Sequence, residues 1–167
     1  MKNLSKSIVS VLLLLSSANL FAAKLSLKWQ NPEDYIDVKA SLYESDEDFQ
    51  SYTFEQFETF LNRLAQKLPD DQTLKLTVTD LDLAGEVRLR TGPLSDMRVI
   101  KTPYIPRIKF NYELIGSDKR VIQSGEEYLK NMAMHDQVIL PPSLDNYKYE
   151  FSMLNRWFKK TFKTVKS

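Results

Sequence analysis

The chain has 167 residues, 27% of them charged and 43% hydrophobic, with a formal net charge of +1 and no cysteine. That balance suits a folded globular chain and not a disordered or membrane-embedded one, and near-neutrality argues against a nucleic-acid binder. The missing thiols exclude disulfides, thiolate metal sites, cysteine nucleophiles and a lipid-bearing cysteine, so stability has to come from burial alone.

Lys2 and Lys6 precede the apolar run Ile8 to Leu15, and small residues follow in SSANLFAA. This is the pattern of a cleavable secretory signal peptide over residues 1–23. The run is shorter than the roughly 20 apolar residues that a bilayer-spanning helix needs. Its removal leaves 21 basic against 22 acidic side chains, a formal charge of −1, on a single domain of residues 24–167 expected in the periplasm.

KLSLKWQ sets Leu25, Leu27 and Trp29 against Ser26, Lys28 and Gln30, the period of a half-buried strand. EDYIDVKASLYESDEDFQ has no sustained period and reads as an irregular connection, with a short extended piece at Tyr35 to Val38. In YTFEQFETFLNRLAQKLPDD a capping box of Thr53 and Gln56 predicts a helix start, with Tyr52 stapled onto Phe57. Phe54, Phe57, Phe60, Leu61, Leu64 and Leu68 then form one apolar face, and Pro69 ends it.

Leu74, Leu76 and Val78 face inward on a second strand. The phase then flips, because Asp80 and Asp82 fall where oil should continue and Leu81 and Leu83 fall on the other side. A bulge near Thr79 to Leu81 restores the burial, and Gly85 ends the strand. From Arg88 to Pro103 the pattern is weak, apart from a short edge strand in MRVIK. Ile108, Phe110, Tyr112 and Leu114 alternate, a turn follows at Gly116 to Asp118, and RVIQS returns as the second arm of an antiparallel hairpin. EEYLKNMAMHDQVIL allows a helical turn, with Glu126 and Glu127 near its start, that Pro141-Pro142 ends. A last amphipathic helix opens at Ser143 and buries Leu144, Tyr147, Phe151, Leu154, Trp157, Phe158 and Phe162.

This order predicts an α+β, two-layer sandwich: a mainly antiparallel sheet of four to five strands with two amphipathic helices on one face. A crossover through the first helix sets the first two strands parallel and makes the sheet mixed.

Two readings compete for the acids. Asp80 and Asp82 face the same way on an extended chain, and with Glu86 they offer oxygens to Mg²⁺ or Ca²⁺, the basis of a metal-dependent hydrolase. Against it, the calcium-loop spacing is absent, and Arg98 and Arg107, with Arg88 or Arg90, supply guanidinium forks for the carboxylates. The ion-pair reading makes Asp80, Asp82, Glu86, Arg98 and Arg107 a polar cluster with no catalytic role, no metal and no cofactor. His135 is the only histidine, so neither a triad nor a multi-histidine site is supported. No G-x-S-x-G elbow or glycine-rich phosphate loop occurs. Trp29, Tyr35, Tyr104, Tyr147, Tyr149 and Trp157 read as core residues or as the lining of an aromatic groove. Arg156, Lys159, Lys160, Lys163 and Lys166 complement the dipole at the end of the last helix, or offer weak contact to an anionic surface.

WQNPEDYID, LTVTDLDLAGE, DMRVI followed by YIPRIKFNYEL, SGEEYLKNM and MLNRWF resemble, in that order, a bacterial domain-of-unknown-function family, the one numbered 3016. The resemblance implies a small exported protein of a Gram-negative bacterium, with no established activity and no catalytic residues to carry over. The expectation is a non-enzymatic module that binds an envelope protein or a small ligand.

Overall fold

The computed structural model describes residues 24–35, 37–38, 45–87, 98–100, 102–132, 137–139 and 147–163. Residues 1–23, read above as a signal peptide, and Arg88, Arg90, His135, Pro141-Pro142, Ser143, Leu144 and Lys166 lie outside them. In chain order the elements are β1 (Lys24–Trp29), a 3₁₀ turn (Pro32–Asp34), α1 (Asp46–Ala65), β2 (Thr73–Asp82), β3 (Glu86–Val87), β4 (Arg98–Ile100), β5 (Arg107–Ile115), β6 (Val121–Lys130), β7 (Gln137–Ile139) and α2 (Lys148–Thr161).

Alternation builds the main sheet, in the order β1-β2-β5-β6. β1 runs parallel to β2 and the other pairs are antiparallel, so the sheet is mixed and the fold α+β, as expected. Leu74, Leu76, Val78, Ile108, Phe110, Tyr112 and Leu114 point from β2 and β5 into one core with Phe57, Leu61 and Leu64 of α1 and Met153, Leu154, Trp157 and Phe158 of α2. The opposite face carries Lys75, Thr77, Asn111 and Glu113, so it stays solvated. A second small sheet, in the order β3-β4-β7, sits beside Ala84 and Ile100. In it Arg98–Ile100, the described part of MRVIK, form the central strand and not an edge.

The phase flip in β2 has the cause its sequence implies. Val78 pairs with Phe110 and Asp80 with Lys109, leaving Thr79 as the extra residue of a bulge. Leu81 and Leu83 are thereby buried, while Asp80 and Asp82 stay on the solvated face.

Two expectations are corrected. α1 starts at Asp46, and its N-cap is Ser45, whose Oγ accepts the Asp48 N–H at 3.0 Å. Asp46, Glu47 and Asp48 fill the first turn, where negative charge meets the positive end of the helix dipole. Thr53 is therefore no cap but a buried mid-helix residue, its hydroxyl 2.8 Å from that of Tyr147, and Tyr52 is exposed instead of stapled. Secondly, SGEEYLK is not a helical turn; it continues β6, pairing Phe110 with Glu127 and Ile108 with Leu129. Backbone pairing to β5 outweighs the weak strand preference of glutamate. Gly125 suits this crossing because a Cβ there would lie 2.9 Å from the Tyr112 ring. Of the two readings of the aromatics, the core one holds for most: Trp29 stacks on Phe54 at 4.0 Å, and Trp157 meets Phe110 edge-on at 4.7 Å.

Candidate functional site

The bulge decides which cation each acid meets. With Thr79 looped out, Asp80 faces Lys109 and Asp82 faces Arg107 across the β2–β5 ladder. Lys109 Nζ lies 3.1 Å from Asp80 Oδ2, and Arg107 Nη1 2.5 Å from Asp82 Oδ2. Lys75 and Glu113 form a third cross-strand pair at 2.9 Å. Arg107 thus serves Asp82 and not Asp80. All three pairs are half-exposed, which limits each to about 1 kcal/mol or less. Asp80→Asn is therefore expected to move the unfolding free energy by less than about 1 kcal/mol in a urea titration.

Arg98 meets neither aspartate. Its Nη1 donates to Asp37 Oδ2 at 2.6 Å and to the Ala84 and Gly85 carbonyls at 3.4 and 3.3 Å, while Nη2 donates to the Asp37 carbonyl at 3.1 Å. Glu86 lies in β3 opposite Val99. Among the described residues no three acidic or histidine side chains converge as metal ligands would, so Asp80, Asp82 and Glu86 do not form the triad that the hydrolase reading needs.

The LAGE segment is instead clasped from three sides. Arg98 holds two of its carbonyls, the Gly85 N–H donates to the Tyr104 carbonyl at 2.8 Å, and the Ala84 N–H donates to Glu150 Oε1 at 2.7 Å. Glu150 is fully buried on α2, and its Oε2 has no hydrogen-bond partner among the described residues. Burial pushes its pKa up to about 7, against the opposing pull of the Ala84 N–H and Arg98. Asp37 is also raised, because burial outweighs its contact with Arg98. Sequence reasoning passed over both residues. Glu150 carried a signal, since it falls three residues after Tyr147 and four before Leu154, on the apolar stripe of its helix. Asp37 carried none.

A carboxyl whose folded pKa lies above its unfolded value holds its proton longer in the native state, so it favours folding at low pH. Stability is therefore expected to fall as pH rises from about 4.5 to about 7, by on the order of 3 kcal/mol from Glu150. In thermal unfolding at a series of pH values Glu150→Gln should flatten most of that slope. An equally steep slope in the variant would refute the assignment.

A second feature lies apart from the acids. β6 ends the sheet, and among the described residues no strand pairs with its outer edge. Between it and α2 runs a groove of about 350 Å³, lined by Glu127 to Lys130 from β6 and by Met153, Arg156, Trp157, Lys160 and Thr161 from α2. Arg156, Lys159, Lys160 and Lys163 make no ion pair among the described residues. Of the aromatics considered for a binding surface, Trp157 alone lines this groove.

A family model described as a protein of unknown function (DUF3016) matches residues 23–160, nearly the whole span of elements above. The chain belongs to that family. No curated protein and no solved structure matches it. For this DUF3016 member, residues 23–160 contain both the clasped LAGE segment and most of the lining of the β6–α2 groove. No helix among the described residues is long and apolar enough to cross a membrane.

Proposed function

We propose that this protein is a non-enzymatic binding module of the bacterial cell envelope, delivered to the periplasm by its N-terminal signal segment and engaging another envelope protein. One observation carries the reading: Asp80, Asp82 and Asp37 each contact a cation of the same chain, while Arg156 and Lys160 of α2 beside the groove contact no acid among the described residues. Carboxylates neutralised in that way anchor a scaffold; unpaired cations along a concave surface are what a charged partner selects. The signal pattern supports the location, since Lys2, Lys6 and the apolar run after them have the order of an export signal.

The test is recovery from a periplasmic extract. Tagged mature protein should retain the same partner as its Asp80→Asn, Asp82→Asn variant, and Mg²⁺, Ca²⁺, Mn²⁺ or Zn²⁺ should leave its Tm unmoved. A metal bound by the native state must raise Tm by mass action. A cation-induced rise that the double variant abolishes, with no partner retained, would replace this reading with the hydrolase.

A further inference from the structure

Edge strands are usually blunted by shortness, proline, bulges or a covering loop, because their unpaired N–H and C=O groups template another strand. β6 has ten residues and no proline, and its one register shift is confined to Val121–Gln123, so the regular part of its outer edge, unpaired among the described residues, is roughly 26 Å long at about 3.3 Å per residue. Val121, Ile122 and Tyr128 leave it with exposed apolar side chains, 49–54% accessible. The other edge of the sheet, β1, has six residues and presents Lys24 and Lys28 to solvent.

Beside the second half of β6 the helix α2 supplies a wall. The groove between them has an apolar lining from Leu129, Met153 and Trp157 and carries Arg156 and Lys160 of α2 against a single acid, Glu127, while the Lys130 ammonium lies over the Tyr128 ring. Lys159 on the same helix and Lys163 just past its end extend the positive field. A helix lying alongside an open strand edge is the arrangement in which an added strand takes its hydrogen bonds from the edge and its side-chain selectivity from the groove.

We propose that the β6 edge and the α2 groove bind an acidic, extended peptide segment by strand addition, with Arg156 and Lys160 selecting the acidic side chains. This rests on the binding-module reading and names the chemistry of its partner. Alternate residues of the added strand point to one face, so those directed at α2 carry the acids. A flat anionic membrane gains nothing from the backbone groups of the edge and enters a concave groove poorly; for this reason a peptide is favoured over a lipid surface.

Two labelled octapeptides test the proposal, one alternating glutamate with valine and one alternating lysine with valine, titrated with mature protein in fluorescence anisotropy. The glutamate peptide should bind at least tenfold more tightly than the lysine peptide. Its affinity should fall several-fold from about 50 to about 200 mM salt, since exposed charge pairs are screened over that range. Arg156→Glu with Lys160→Glu, both exposed, should lose at least tenfold while unfolding at the wild-type temperature. Methylating alternate backbone nitrogens of the peptide should also cost at least tenfold, because strand addition needs those donors. Equal affinity for the methylated peptide would overturn strand addition, and equal affinity for both charge types would overturn the selection. Co-sedimentation with phosphatidylglycerol vesicles in the absence of peptide binding would assign the surface to lipid instead. If neither peptide binds yet the charge-reversed variant still retains the wild-type periplasmic partner, this inference fails and the binding-module reading stands.

Discussion

Replacing Gly85 with alanine is expected to destabilise the protein by about 3–5 kcal/mol. Gly85 has φ +83°, and a Cβ built there lies 2.4 Å from the Val99 carbonyl oxygen and 2.8 Å from its carbon. A left-handed conformation costs a side-chain-bearing residue roughly 1–2 kcal/mol. The overlap adds more because the struck atoms are backbone. They belong to β4, which pairs on one side with Glu86 and on the other with Val138, so Val99 cannot retreat without breaking the small sheet. Relief by moving Gly85 would break its N–H contact to Tyr104 and carry Ala84 away from Glu150. Urea unfolding reads the effect directly, and a variant within 1 kcal/mol of wild type would show that this close approach is not what fixes the segment.

The second large effect belongs to Arg98. Methionine in its place keeps much of the stem and removes the guanidinium, leaving the Asp37 carboxylate and the Asp37, Ala84 and Gly85 carbonyls without that donor. Breaking one side of a buried pair costs about 3–5 kcal/mol; the Asp37 side chain keeps 29% of its surface in water, which brings the expectation to about 2–4 kcal/mol at pH 8. The loss is also pH-dependent. Arg98 lowers the pKa of both Asp37 and Glu150, so its removal raises both further. Groups raised in the folded state stabilise it at low pH and lose that contribution as pH rises through their folded pKa. Arg98→Met should therefore cost most above pH 7, where Glu150 has given up its proton, and least at low pH. A cost independent of pH would mean that Arg98 acts by packing alone.

What the sequence made legible, and what it hid, follows from the range of the interactions. The β2 phase flip was readable because burial imposes a period of two and only an extra residue restores it; Thr79 is that residue. The apolar stripes of α1 and α2 were readable for the same kind of reason. The start of α1 was not, since Ser45 and three acids look like a loop until the helix dipole is considered. Glu126 and Glu127 hid the length of β6, because their place in a strand is set by pairing with β5. Of the β3-β4-β7 sheet only the strand in MRVIK was legible; β3 and β7 have two and three residues, too few to show a period. At the site, the theme of carboxylates held by cations was legible. The actual partners were not, because the register across the bulge selects Lys109 for Asp80 and Arg107 for Asp82, and because Asp37 reaches Arg98 from a connection with no pattern of its own.

The groove beside β6 depends on the same architecture. α2 both closes that groove with Arg156, Trp157 and Lys160 and reaches the LAGE segment with Glu150. The acids of β2 and the cations of α2 thus have different tasks in one fold, the first holding strands in register and the second facing outward.

The central claim is that the LAGE segment is clamped as a fixed part of the scaffold, and amide hydrogen exchange on the native protein at neutral pH tests it most directly. The Ala84 and Gly85 amides, bonded to Glu150 and Tyr104, should exchange only through global unfolding, as slowly as the Val78 amide in the middle of β2. Exchange at those two positions faster than at Val78 by orders of magnitude would show a segment that opens on its own, and would return Asp80, Asp82 and Glu86 to consideration as a working site.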